Sequence, residues 1–244
     1  AVFVGYQGQI IFGNPTVSGG LSRGQDVPNN NNDLYDVIWD GTQYIACGKQ
    51  GYIARHTGPI TSNSFWTVSV PNPPQYVQWN AIARNPDNGR IVCIGQQTST
   101  YTNASMYSDD GGNTWIDTSD NGLNSEPDYY GARGLTYGNG AFVMVGGSGV
   151  GVSAYSKDGI NWTYTDTPVG YWTKVDYNFN KFYAINQNAT DNDPKIMISV
   201  TGTNEIADLV FSDDENLDTF SSGESVKQNS GGVPVTSDIT AVAT

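Results

Sequence analysis

Two turns in this chain bring a hydroxyl, a carboxylate, a glycine and an indole together at nearly the same spacing. They are Ser108, Asp110, Gly112, Thr114 and Trp115 in YSDDGGNTWI, and Ser156, Asp158, Gly159 and Trp162 in YSKDGINWTY. A Ser/Asp pair invites a catalytic reading, but a serine nucleophile needs a base beside it. The single histidine, His56, has no Ser or Cys motif to serve and reads as a surface residue at a strand end. The competing chemistry is local. An Asp carboxylate accepts hydrogen bonds from the N–H groups of its own turn, Gly supplies a positive φ, and Trp covers the hairpin and enters the core between sheets. On that reading the aspartates are structural.

Other candidates are weaker. The run GGSGVG, residues 146–151, is followed by a strand and not by the helix that a phosphate-cradling loop requires, so it reads as a loop. The clusters DND (Asp191 to Asp193) and DDEN (Asp213 to Asn216) have the oxygen density Ca²⁺ needs but not EF-hand spacing, and read as solvated loop charge. Ca²⁺ is the one cofactor the composition leaves open, and no other metal site is expected. Cys47 and Cys93 sit in apolar runs and read as buried, inert thiols, with one disulfide as the alternative. The sequons at Asn103, Asn161 and Asn188 arise easily by chance in so Asn- and Thr-rich a chain, and the one at Asn161 lies inside a turn.

A formal charge of −13, with only 11 Lys and Arg, excludes nucleic acid and anionic membranes as expected partners, since both require clustered cations. Nothing is long enough to be a membrane-inserted helix, and neither end reads as a signal peptide. A start at Ala1 without Met reads as a mature or excised segment.

The elements that must carry these residues follow from composition and repetition. Twenty-nine Gly and 15 Tyr among many Asn, Thr and Ser describe short strands and tight turns. Four segments align: LYDVIWDGTQYIACG, WNAIARNPDNGRIVCIG, ARGLTYGNGAFVMVGG and WTKVDYNFNKFYAIN, each a hairpin signature. Their equivalent positions Val37, Ile82, Leu135 and Val175 are spaced by 45, 53 and 40 residues, the period of four-stranded propeller blades. A third strand follows in each unit, and in three units a fourth begins near a tryptophan. The N-terminal AVFVGYQGQIIFG reads as the second and third strands of a unit lacking its first, and TSDITAVAT as a first strand with Ile239 at the place of Val37. The expectation is therefore a single all-β domain, residues 1–244: a β-propeller of five blades of four antiparallel strands, one blade closed by both termini. Six blades is the alternative, because Thr201 to Pro234 is poorly patterned.

The motif S-x-D-x-G-x-T-W of the first turn resembles the Asp-box, or bacterial neuraminidase repeat, and the second turn resembles its shorter variant. The hairpin style further resembles propeller modules of bacteriophage tail, receptor-binding and secreted bacterial proteins. The resemblance implies that these turns lie at the periphery, away from the ligand face. It also raises sialidase activity, which needs three arginines gripping a carboxylate, a Tyr and Glu pair and an Asp acid/base. Of the five arginines, Arg84 and Arg90 flank a hairpin turn and Arg55 ends a third strand, poor places to converge on the axis, and a glycosidase ranks third among the functions.

In propellers the loops entering the first strands share one face with those joining second to third strands. Aromatic residues crowd that face: Tyr76 and Trp79, Tyr129 and Tyr130, Tyr171 and Trp172, with Arg133 beside them. Flat rings next to Asn, Asp and Arg suit sugars, which offer a C–H face and hydroxyls. For Trp79 and Trp172, at equivalent positions, repeat-core packing competes equally with ligand contact. The function expected is non-enzymatic recognition of a glycan or cell-surface ligand by a receptor-binding or adhesion module, extracellular or on a virion surface. The alternative is a structural decoration or scaffold domain that contacts copies of itself or neighbouring structural proteins.

Overall fold

The structure is a computed structural model. It describes residues 1–28, 33–71, 77–99, 102–123, 131–147, 151–165, 167–187 and 195–199, together with the backbone of 225–230 and 233–238. Regular structure among these residues is strand, apart from two single 3₁₀ turns at Tyr6–Gly8 and Lys49–Gly51. Three complete sheets are antiparallel meanders of four consecutive strands. The first contains β4 (Leu34–Trp39), β5 (Gln43–Gly48), β6 (Ile53–Thr57) and β7 (Thr67–Ser69). The second contains β8 (Val77–Arg84), β9 (Ile91–Gln97), β10 (Asn103–Ser108) and β11 (Ile116–Asp117). The third contains β12 (Ala132–Gly138), β13 (Ala141–Gly147), β14 (Gly151–Ser156) and β15 (Thr163–Thr165).

Two sheets have three strands each. One is the N-terminal meander of β1 (Val2–Val4), β2 (Ile10–Gly13) and β3 (Leu21–Arg23); the other is β16 (Trp172–Asn178), β17 (Lys181–Asn186) and β18 (Ile196–Ser199). The N-terminal sheet repeats the local structure of its neighbour. Gly5 and Gly48 have nearly identical extended backbones, and each leads into a 3₁₀ turn whose Gln, Gln7 or Gln50, has φ 56°. β1 and β2 therefore correspond to second and third strands, as the sequence implies, and β3 supplies a fourth strand that the sequence reading did not mark.

At the other end the structure differs from the expectation. Thr236 to Asp238 are not the start of an isolated first strand but belong to β20 (Val233–Asp238), paired with β19 (Ser225–Ser230). A Gly231–Gly232 dipeptide between two alternating segments is a hairpin signal, here at the scale of one short ribbon. Ile239 lies outside the described residues.

Burial explains the stacking. Strand side chains alternate between faces, and both faces of an inner sheet are apolar. Ile45, Cys47 and Ile53 of the first complete sheet pack on Ile82, Cys93 and Met106 of the second. Ala81, Ala83, Val92 and Ile94 of the second then pack on Leu135, Phe142, Met144 and Ala154 of the third. Cys47 and Cys93 are unpaired thiols in one of these dry layers, and burial pushes the Cys93 thiol up. The first strands β4, β8, β12 and β16 lie side by side in chain order, which places them innermost.

Candidate ligand-binding site

One irregularity recurs in all four first strands. The register skips a residue between Leu34 and Asp36, Trp79 and Ala81, Ala132 and Gly134, and Trp172 and Lys174. Each skip is a β-bulge, which re-aims the extra side chain. The extra residues are Tyr35, Asn80, Arg133 and Thr173, all at the same end of the innermost strands. Glycines at the ends of the second strands permit the crossing: a Cβ on Gly48, Gly95 or Gly146 would lie 2.1, 2.0 or 2.6 Å from the carbonyl oxygen of Asp33, Gln78 or Gly131. The repeat thus places one aromatic, one amide, one guanidinium and one hydroxyl residue at the same end of the innermost strands.

Below the rim the axis is bridged. Asp36 on β4 accepts hydrogen bonds from the Val37 N–H (3.0 Å) and from the Ile82 N–H (3.1 Å) of the next sheet. Lys174 on β16, two sheets beyond that, reaches the same carboxylate at 3.5 Å. The equivalent positions on the intervening strands are Ala81 and Gly134, and a Cβ on Gly134 would stand 2.8 Å from the Lys174 Cα. Small residues on β8 and β12 let the charged pair span the middle. Burial raises the Asp36 pKa above its ordinary value, and Lys174 and the two N–H groups only partly offset it.

Arg133 lies with its guanidinium carbon 5.0 Å from the centre of the Tyr171 ring. Asn80 donates to the Ala132 carbonyl (2.7 Å) and accepts from Gln78 (2.9 Å), so its amide is fixed. Tyr35 is 39% exposed. Of the residues anticipated at this face, Arg133 and Tyr171 are brought together at the mouth. Trp79 and Trp172 are corrected: they are 2% and 0% exposed, and the Trp172 indole donates to the Pro168 carbonyl at 2.9 Å. Both are core residues, sealed by the bulge that follows them. Tyr76, Tyr129 and Tyr130 lie outside the described residues. Tyr35, Asn80, Thr173, Asp36 and Lys174 escaped the sequence reading. They stand in two columns of the four-repeat alignment, one and two places before Val37, Ile82, Leu135 and Val175, but only the bulge turns those columns into a rim and a bridge.

The two Ser/Asp turns lie at the opposite ends of the strands, between third and fourth strands. Asp110 accepts from the Thr114 N–H (2.8 Å), the Thr114 hydroxyl (2.6 Å) and the Ser108 hydroxyl (2.8 Å). Asp158 accepts from the Ile160 and Asn161 N–H groups (both 2.8 Å) and from Ser156 (2.9 Å). The Ser108 and Ser156 oxygens in turn accept from Gly112 and Gly159 (both 2.8 Å). Trp162 is buried and Trp115 half-buried against the same layers. Each turn also ties adjacent sheets: Gln43 donates to the Gly111 carbonyl (2.7 Å) and Arg90 to the Asp158 carbonyl (2.6 Å).

Partial burial would raise both turn carboxylates, but the hydrogen bonds outweigh it and hold Asp110 and Asp158 at about 2. A lowered carboxylate pKa stabilises the fold above the ordinary value of 3.8 and loses that contribution as the pH falls towards 2. Both groups are solvent-screened, so each contributes modestly. Asp110→Ala with Asp158→Ala is expected to lower stability by about 1 kcal/mol per turn at pH 7. The loss relative to the parent should shrink between pH 4 and pH 2, as read by thermal unfolding across pH.

The sequence matches no family model and no curated protein sequence. The fold is similar to that of YCF48 bound to a D1 peptide, with 14% identity over 70% of this chain and 52% of that one and a TM-score of 0.51. It is also similar to a structure of a nidogen/laminin complex, with 9% identity over 82% and 88% of the two chains and a TM-score of 0.51. This chain spans about half the length of the YCF48 chain. These likenesses show the fold, which is a β-propeller.

Proposed function

We propose that this propeller is a non-enzymatic recognition module whose axial mouth binds a carbohydrate or other surface ligand, in a receptor-binding or adhesion protein outside the cell or on a virion. The observation that carries this reading is the fourfold bulge. A purely structural repeat needs no device that takes one side chain per blade out of alternation at one end of the inner strands, whereas a ligand site needs polar groups gathered at one place. Tyr35 offers a ring face and Thr173 a hydroxyl. The two similar propellers were solved with a peptide and in a laminin complex, so recognition of partners is within the reach of this fold. The Ser/Asp turns belong, on this reading, to the Asp-box pattern and hold neighbouring blades together away from the mouth.

The same reading takes the ring to five blades, one assembled from both termini. Phe3 and Ile11 are 45% and 39% exposed, yet their counterparts in the other blades, Ala46 and Ala54, Cys93 and Met106, Met144 and Ala154, Ala184 and Met197, are buried. Ile185 is 50% exposed, and its counterparts Cys47, Ile94 and Val145 are fully buried. In every blade interface described here those two columns face each other. The Ile185 face and the Phe3 face are therefore the two sides of one further interface.

A glycan and bacterial-envelope polysaccharide array, read with and without Ca²⁺, tests the function. A saturable signal that Tyr35→Ala and Tyr171→Ala reduce at least tenfold, with little change in melting temperature, is the expected result. A blank array from folded protein would overturn the glycan reading and favour a scaffold domain.

A further inference from the structure

We infer that the glycan received at this face is a neutral oligosaccharide chain, and that Gln7 and Gln50 read successive sugar units of it through their side-chain amides. This rests on the reading of the face as a glycan site and narrows it. The argument begins with two copies of one turn. In GYQGQI and GKQGYI the central residues Gln7 and Gly8, and Gln50 and Gly51, all have positive φ (56° and 72°, 56° and 78°). The Gln9 N–H closes the first turn on the Tyr6 carbonyl and the Tyr52 N–H the second on the Lys49 carbonyl, both at 3.2 Å. Such a turn prefers Asn or Gly at its first central place, and the chain uses that solution in Asn139 and Gly140, at the opposite end of the strands. Gln lacks the short side chain that eases the left-handed region, so turn formation explains it at neither place. Both Gln side chains are exposed and make no hydrogen bond among the described residues.

Their placement says what would fit. Asp33 holds both turns: its carboxylate accepts from the Gln7 N–H and its carbonyl from the Lys49 N–H, both at 2.9 Å. The Leu34 N–H donates in turn to the Gly5 carbonyl at 3.0 Å. The exposed Tyr35 follows directly in the chain, so one amide from each of two neighbouring sheets flanks the entry to β4, with a ring beside them. A primary amide both donates and accepts, which matches two adjacent hydroxyls of a pyranose, and a ring face takes its C–H side. Two like groups carried by successive repeats suit a ligand that itself repeats. The charged residues within or bonded to the turns are Asp33 and Lys49, of opposite sign, so net charge selects neither an acid nor a base.

Titration calorimetry of the full chain with neutral glucose, galactose and N-acetylglucosamine oligomers of increasing length, beside uronate oligomers, tests the inference. Affinity for a neutral series is expected to rise about tenfold or more from the single sugar to the longer chains. Gln7→Gly and Gln50→Gly should each remove most of that rise, and Gln50→Asn, which keeps the turn but shortens the reach of the amide, should do the same. Because Gly and Asn suit the turn better, none of these changes should lower the melting temperature. Asn139→Gly, in the same kind of turn at the other end, should leave every affinity unchanged. A rise that survives the Gln variants, or single sugars bound with no rise at all, would overturn the inference and leave the glycan site standing. Variants that lose binding and melting temperature together would assign the glutamines a structural role and overturn it equally. Binding of uronate oligomers alone would keep the glycan site and overturn the neutral chain. Binding of no sugar of either class would remove both.

Discussion

Deletion of residues 239–244 is expected to lower the melting temperature by roughly 6–12 °C, corresponding to a loss of about 3 kcal/mol in a chain of this size. A free tail of six residues would cost nothing measurable. The expectation follows from the two exposed apolar faces and from one glycine. Gly48, Gly95 and Gly146 are glycine because a first-strand carbonyl presses where a Cβ would be, and Gly5 occupies the same place with nothing within 4 Å. Gly5 thus has the form of a socket for a first strand. By the register of Val37 with Ala46 and Ile38 with Ile45, a first strand seated there would run antiparallel to Val2–Val4. Gly5→Ala sharpens the test by its sign. With a strand seated beside it the new methyl overpacks and costs about 1–3 kcal/mol, as Gly48→Ala should. With the edge open, the same change on an extended backbone is neutral or stabilises by about 0.4–1 kcal/mol.

Asp36→Ala is expected to cost about 1–3 kcal/mol, chiefly because it removes the acceptor of the Ile82 N–H between two blades; the Lys174 side chain is 54% exposed and its lost pairing adds little. Asp36→Asn should cost less, since an amide oxygen can still accept one N–H. The pair Asp36→Asn with Lys174→Met should cost less than the sum of the single changes, which is the signature of direct coupling across the axis. The pH dependence has the opposite sign to that of the Asp-turn carboxylates. Burial raises the folded-state pKa of Asp36, so its contribution is fully present below the ordinary carboxylate value and declines as the pH rises through the folded value. The advantage of the parent over Asp36→Asn should therefore be greater at pH 4 than at pH 7 in denaturant unfolding.

The fold was legible in the sequence because the strand repeat, its period and its turn chemistry all pointed the same way. The Asp110 and Asp158 turns were legible for a related reason: the hydrogen bonds to their carboxylates are local, and the stretches 108–114 and 156–161 contain every partner. The candidate site was legible only in part. Arg133 and Tyr171 were singled out because they precede or begin first strands, and for Trp79 and Trp172 the same spacing left core packing and ligand contact equally open. A bulge moves one residue out of alternation, and sequence spacing alone does not reveal which member of Trp79–Asn80 or Trp172–Thr173 goes into the core. The bridge from Asp36 to Lys174 joins residues of the first and fourth repeats, and only the curvature of the ring brings them together.

The most direct test of recognition at the mouth is to titrate the best array ligand into ¹⁵N-labelled protein and follow backbone amide shifts. The account expects saturable shifts clustered at Tyr35, Asn80, Arg133 and Thr173, with the Ser108–Trp115 and Ser156–Trp162 turns unmoved. Shifts concentrated at those turns, or at the exposed Trp39 at the other end of β4, would contradict it.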